Sequence, residues 1–179
     1  MNEQTLTRLW GMRLTFALVV CVILFFYLLP LDTTPRQWVG PDLLLAFAFA
    51  WSLRRPDYVP AWALAGLFLL ADLLLQRPPG LWALMALLAC ENLKGRARGL
   101  RDGSFASEWL TVSLVLVAVS IAYRAGLAIT FVERPPFGLS IFELIMTILF
   151  YPVVVAVTHG LLGVRKAAPG DFDGSGGVS

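Results

Sequence analysis

Residues 55–95, RPDYVPAWALAGLFLLADLLLQRPPGLWALMALLACENLKG, constrain this chain more than any other stretch. An apolar run over 59–75 ends in Gln76-Arg77-Pro78-Pro79-Gly80, and a second run over 81–93 leads into Lys94, Arg96, Arg98 and Arg101. Pro78 and Pro79 cannot continue the first helix, because proline lacks the amide donor and its ring collides with the preceding turn. Two arms of nearly pure hydrocarbon joined by Pro-Pro-Gly predict a helical hairpin buried in lipid. Inside the first arm stands a carboxylate, Asp72.

The same blockwise pattern fills the rest of the chain, which is 58% hydrophobic and 15% charged, with a mean hydropathy of +0.75. A soluble domain interleaves apolar with polar residues and carries more charge. A membrane β-barrel alternates polarity over segments of about 10 residues. Neither pattern occurs, so the expected fold class is all-α, a polytopic integral membrane protein. Six transmembrane helices are expected, at about 14–31, 39–53, 58–75, 81–93, 108–132 and 139–164, in one membrane domain over 1–166. The Gly/Ser/Asp-rich tail, 167–179, is expected to be a disordered cytoplasmic segment. The first block is too long for a signal-peptide core, and Leu29-Pro30-Leu31-Asp32 offers no small-x-small cleavage site, so it is expected to be retained. The second and fourth blocks are short for spanning helices. In the last block Pro152 is expected to free a carbonyl one turn earlier and kink the helix.

Orientation follows from the basic residues. With six spans and both termini inside, ten of the 14 lysines and arginines lie on the cytoplasmic side. They include Arg54, Arg55, Lys94, Arg96, Arg98 and Arg101, read as topology determinants. Arg36, Arg77 and Arg134 lie outside, and Arg124 lies within a span. Were the two short blocks not to span, the split would fall to nine against four. The six tryptophans, Trp10, Trp38, Trp51, Trp62, Trp82 and Trp109, all fall near expected helix ends, where indole favours the headgroup region.

Three ionisable residues fall inside expected helices toward the outer side: Asp72, Arg124 and Glu143. A charge near the centre of a span costs about 2.5–3.5 kcal/mol on insertion scales. Pairing of Arg124 with Asp72, Glu143 or both would offset part of that and fix helices 3, 5 and 6 together. Separate snorkelling to the headgroups, or a proton-relay role, are the alternatives. Ala118, Ala122 and Gly126 repeat at four-residue spacing, a pattern that lets helices approach closely, either within the molecule or against a partner helix. Ala61 and Ala65 form a similar pair. Glu91 and Asn92, beside Lys94, are expected to be interfacial.

Other chemistries find little support. Cys21 and Cys90 lie in apolar blocks with no CxxC or Cys/His cluster, which points to packing. The one histidine, His159, stands alone near the end of the last block. Ser113, Ser120 and Ser140 have no accompanying base, and no phosphate-cradling glycine motif occurs. No catalytic residue, cofactor or metal site is therefore expected. The basic run KGRARGLR reads as a topological determinant attracted to anionic headgroups rather than as a nucleic-acid site.

A family resemblance adds to this reading. Pro41-Asp42 opening a short helix, Trp51 near its end, then Gly66, Asp72, Pro79-Gly80 and Ala83-Leu84, resemble the MreD family of bacterial rod shape-determining proteins. Leu149-Phe150-Tyr151-Pro152 and the terminal Arg165-Lys166 resemble that family's last helix. The likeness covers roughly residues 30–166; the doubled proline at Pro78-Pro79 and the glycine-rich tail depart from it. It implies a non-enzymatic, multi-pass subunit of the inner membrane, working in the cell-elongation machinery and in peptidoglycan synthesis. It implies a partner similar to the periplasmic scaffold MreC, and through it MreB filaments, RodA and a penicillin-binding transpeptidase. The family is similar in fold to the substrate-binding subunits of energy-coupling-factor transporters, which supplies the rival expectation of a small-molecule-binding membrane subunit. Such subunits offer small residues in the first helix for docking, whereas residues 14–31 hold only Ala17 as an alanine.

Overall fold

The computed structural model describes residues 3–29, 40–100, 103–132 and 135–160. All regular structure among them is helical: α1 (Glu3–Leu28), α2 (Leu43–Arg54), a 3₁₀ turn (Pro56–Tyr58), α3 (Ala61–Leu74), α4 (Leu81–Ala97), α5 (Phe105–Ile129) and α6 (Phe137–Gly160). The expected all-helical class and the order of the six helices hold. Within them, Leu6–Leu28, Phe105–Ile129 and Phe137–Gly160 are long and apolar enough to cross a membrane. α2, α3 and α4 have 12, 14 and 17 residues, which at about 1.5 Å per residue is shorter than the ~30 Å hydrocarbon core.

Several boundaries differ from the sequence expectation. α1 begins at Glu3 rather than 14, so the polar N-terminal stretch is already helical. α2 begins at Leu43 rather than 39, because Asp42 caps it: its side chain accepts from the Leu45 amide at 2.9 Å. α3 begins at Ala61 rather than 58, because Pro56–Tyr58 form the 3₁₀ turn and Pro60 is extended. α4 continues past 93 to Ala97, with Lys94 and Arg96 in its last turn, where cations favour the helix terminus. α5 runs from Phe105 to Ile129 rather than 108–132 and closes on Phe131, whose φ is 54°. α6 begins at Phe137 rather than 139, directly after Pro135-Pro136. The tail expected at 167–179, with Arg165 and Lys166, lies outside the described residues.

The α3–α4 hairpin forms as expected, and its turn has two unusual backbone positions. Gln76 takes φ 54° and Gly80 φ 87°, the second in the left-handed region where glycine carries no Cβ penalty. The Arg77 amide donates back to the Asp72 carbonyl at 2.9 Å, closing the end of α3.

α2 is the centre of the bundle. Every residue from Leu44 to Arg54 is buried, as a helix that is apolar all round requires. α1, α4 and α6 pack around it, and α4 and α6 also pack on α5. Phe16 stacks on Phe47 with ring centroids 5.7 Å apart, and Trp51 lies 5.2 Å from Phe47. Trp51, expected at the headgroup level, is thus a fully enclosed core residue, and Trp82 is buried too. Trp10 and Trp62 are exposed and meet each other at 6.5 Å, while Trp38 lies outside the described residues. The outward faces of α1 and α5 carry rows of large apolar side chains, including Leu14, Leu18, Leu110, Leu114 and Ile121. Four charged residues of the bundle turn inward: Asp42, Asp72, Arg54 and Glu108 are all buried. That polarity, hydrocarbon outside and charge inside, suits a lipid solvent. Cys21 is exposed on α1 and Cys90 buried on α4.

Hydrogen bonds between elements sort the helix ends. At one end Lys94 donates to the Val59 carbonyl, Arg13 to the Asp57 carbonyl and Arg54 to Glu108. This end gathers the C-termini of α2 and α4 with the N-termini of α3 and α5. At the other end Tyr27 joins α1 to the start of α2, accepting from the Leu43 amide at 2.8 Å and donating to the Pro41 carbonyl at 2.9 Å.

Candidate functional site

Two polar assemblies lie at opposite ends of the bundle. At the Lys94 end, Arg54 Nη2 stands 3.3 Å and 3.5 Å from the two carboxylate oxygens of Glu108, and Tyr151 donates to Glu108 Oε1 at 3.1 Å. Three helices supply the group: the last residue of α2, the first turn of α5 and the middle of α6. Glu108 is 1% exposed and Tyr151 fully enclosed. Arg54, expected as a headgroup-facing topology determinant, is instead buried in this ion pair, because the central position of α2 leaves its C-terminus no surface.

The neighbouring residue completes the α5–α6 joint. Pro152 has no amide to give to the Ile148 carbonyl one turn earlier, and Trp109 Nε1 donates to that carbonyl at 3.0 Å. The carbonyl that proline releases is thus satisfied by the adjoining helix. Trp109→Phe is expected to cost about 1–2 kcal/mol by leaving the part-buried carbonyl bare. Pro152→Ala added to it should recover most of the loss by restoring an amide to α6. A double-mutant cycle of unfolding in detergent checks the coupling.

The remaining basic residues of this end are held separately. Lys94 bonds both the Val59 carbonyl and Glu91 Oε1, and Arg96 Nε bonds Asn92 Oδ1 at 3.0 Å. The Arg55 guanidinium lies 5.7 Å from the Tyr58 ring centre, Arg98 is exposed, and Arg101 lies outside the described residues. His159 is exposed at the end of α6.

At the opposite end Asp72 is fully buried, and its Oδ2 accepts from the Gly80 amide at 3.0 Å and the Ala83 amide at 3.1 Å. It caps α4 across the Pro-Pro-Gly turn, which a carboxylate does well at the positive end of a helix. The expected Asp72–Arg124 pair does not form. Arg124 donates to Ser140 Oγ at 2.8 Å and to the Pro135 carbonyl at 3.3 Å, and lies over the Phe137 ring at 5.0 Å. It ties α5 to the start of α6 rather than to α3. Arg124 and Glu143 do line one cavity, of about 310 Å³, with Asp42, Arg77, Tyr123 and Thr147; Asp72 does not reach it. Arg77 Nη1 stands 4.0 Å from Asp42 Oδ2 and lies over the Trp82 ring at 5.2 Å. Thr147 accepts from the Asp42 amide at 2.8 Å and donates to the Glu143 carbonyl at 2.7 Å.

The small-residue stripe divides. Gly126 packs inside the molecule, where a Cβ would come within 2.8 Å of Leu81 Cδ1. Ala118 and Ala122 line an open groove between α4 and α5.

No protein-family model matches the chain, and no curated protein or solved structure matches it. The geometry and the sequence motifs therefore carry the functional reading.

Proposed function

We propose that this chain is a non-enzymatic, six-span subunit of the bacterial inner membrane that works in cell elongation, holding a scaffold similar to MreC and helping to organise peptidoglycan synthesis. MreB filaments, RodA and the penicillin-binding transpeptidase are reached through that scaffold. The Lys94 end faces the cytoplasm.

One observation supports the reading above others. Four of the residues on which the likeness to the MreD family rests, Asp42, Asp72, Tyr151 and Pro152, stand at joints between helices. Asp42 caps α2 and meets α6 through Thr147. Asp72 caps α4 from α3. Tyr151 and Pro152 fasten α6 to Glu108 and Trp109 of α5. A fold held at those joints leaves the outward apolar faces of its long helices for neighbours.

The test is copurification. A tagged chain from native membranes of a rod-shaped host is expected to bring down the MreC-like scaffold, and depletion is expected to round the cells. Single cysteines at position 98 should label from the cytoplasm and at position 77 from outside. Labelling of both from one side would remove the six-span reading. The cavity of about 310 Å³ at the Arg124 end favours a second reading, a small-molecule-binding subunit of an energy-coupling-factor type transporter. Tight binding of a vitamin together with copurification of an ATPase would decide for it.

A further inference from the structure

The groove between α4 and α5 has one charged end and an apolar remainder. Its volume is about 500 Å³. Arg96, Asn92 and Thr111 stand at the Lys94 end of the bundle, and Ala89, Ala118 and Ala122 line the stretch leading away from it. None of the lining residues is acidic, so the one charge in the groove is a cation. Asn92 engages only the Nε of Arg96, and no other hydrogen bond of that side chain occurs among the described residues. Both terminal nitrogens are left for an anion, the arrangement in which arginine takes a phosphate two nitrogens at a time.

The groove's length selects the occupant. It runs from Arg96 to Met85 on α4 and from Thr111 to Ala122 on α5. Eleven residue steps on each helix give about 16 Å at 1.5 Å per residue, close to half of a ~30 Å hydrocarbon core. It ends where Gly126 closes onto Leu81. A spanning helix of a partner would need to continue past that contact at an axis separation of about 8–10 Å, whereas an acyl chain anchored at Arg96 ends there.

We propose that this groove holds one anionic phospholipid of the leaflet at the Lys94 end, its phosphate on Arg96 and an acyl chain lying over Ala89, Ala118 and Ala122. The site requires that the chain reside in a bilayer. It does not require the scaffold partner, so it stands or falls apart from the elongation reading.

The experiment uses the full chain in nanodiscs of mixed phosphatidylglycerol and phosphatidylcholine, with retained lipid counted by native mass spectrometry. The wild type is expected to retain one phosphatidylglycerol in preference to phosphatidylcholine. Arg96→Gln should reduce that preference about fivefold, the effect of one basic residue on an anionic headgroup. Arg98→Gln, on an exposed arginine outside the groove, should leave it unchanged. Filling the groove with Ala118→Leu and Ala122→Leu should remove the retained lipid whatever its headgroup. Equal losses from Arg96→Gln and Arg98→Gln would reduce the effect to diffuse charge attraction and overturn the site. A photocrosslinker at position 118 should capture lipid in native membranes; capture of a polypeptide would assign the groove to a partner helix instead.

Discussion

Arg54→Ala is expected to destabilise the folded chain by about 3–5 kcal/mol, the usual cost of stranding one member of a buried ion pair. The substitution takes the guanidinium away from a Glu108 carboxylate that is 1% exposed and that also accepts from the Tyr151 hydroxyl. Replacing the pair together, Arg54→Met with Glu108→Leu, is expected to recover most of the loss, since two apolar side chains carry no desolvation penalty. Tyr151→Phe should cost less, about 1–2 kcal/mol, because the ion pair survives it. Reversible unfolding in mixed micelles, followed by tryptophan fluorescence, gives the three values. A loss under about 1 kcal/mol for Arg54→Ala would show a pair that behaves as an exposed one.

Asp72→Ala is expected to cost about 2 kcal/mol, within the range of a lost helix cap and of buried donors left bare. Both amides it serves belong to the start of α4, and one of them, Ala83, is buried. The informative comparison is Asp72→Asn. A cap needs an acceptor oxygen and not a charge, so asparagine should retain well over half of the stability. An intramembrane ion pair needs the charge, and asparagine would then be nearly as damaging as alanine. Charge reversal at Arg124 gives the complementary result. Since Arg124 bonds Ser140 and the Pro135 carbonyl, reversing Asp72 as well should not rescue Arg124→Glu. Rescue would restore the pairing that the sequence alone suggests.

The contrast between these two sites shows which information is local. The hairpin around Pro78-Pro79-Gly80 is legible because every cause of it lies within one stretch: apolar arms, proline stops and a glycine that tolerates positive φ. The release of a carbonyl by Pro152 is legible for the same reason. What takes that carbonyl is not, because Trp109 arrives from another helix. The Arg54–Glu108–Tyr151 group was missed for a related cause. Its partners are 54 and 43 positions apart, and each lies at the edge of an apolar block or beside a proline, where a surface or kink role already accounts for it. One signal was available. Arg54 and Glu108 flank blocks that end on the same expected side of the membrane, so opposite charges stood at matching depth. Asp72 stands out in the sequence, but its partners do not: the donors nearest to it are backbone amides across its own turn, which no count of charged side chains reveals. Boundaries shift by two to four residues at α2, α3 and α6 because Asp42, Pro60 and the prolines before α6 act through single capping or stop positions.

The unequal helices have a mechanical corollary. α5 and α6 measure about 36–38 Å and α3 about 21 Å along their axes, so in a bilayer the two flanks of the bundle would meet hydrocarbon of different depth. Lipid beside α3 must thin while lipid beside α5 and α6 stretches or those helices tilt, at a fraction of a kcal/mol per ångström of mismatch. The chain would then sit inside a wedge-shaped collar of deformed membrane, and a neighbour able to relieve that deformation would be drawn to its thin flank before any side chain touched.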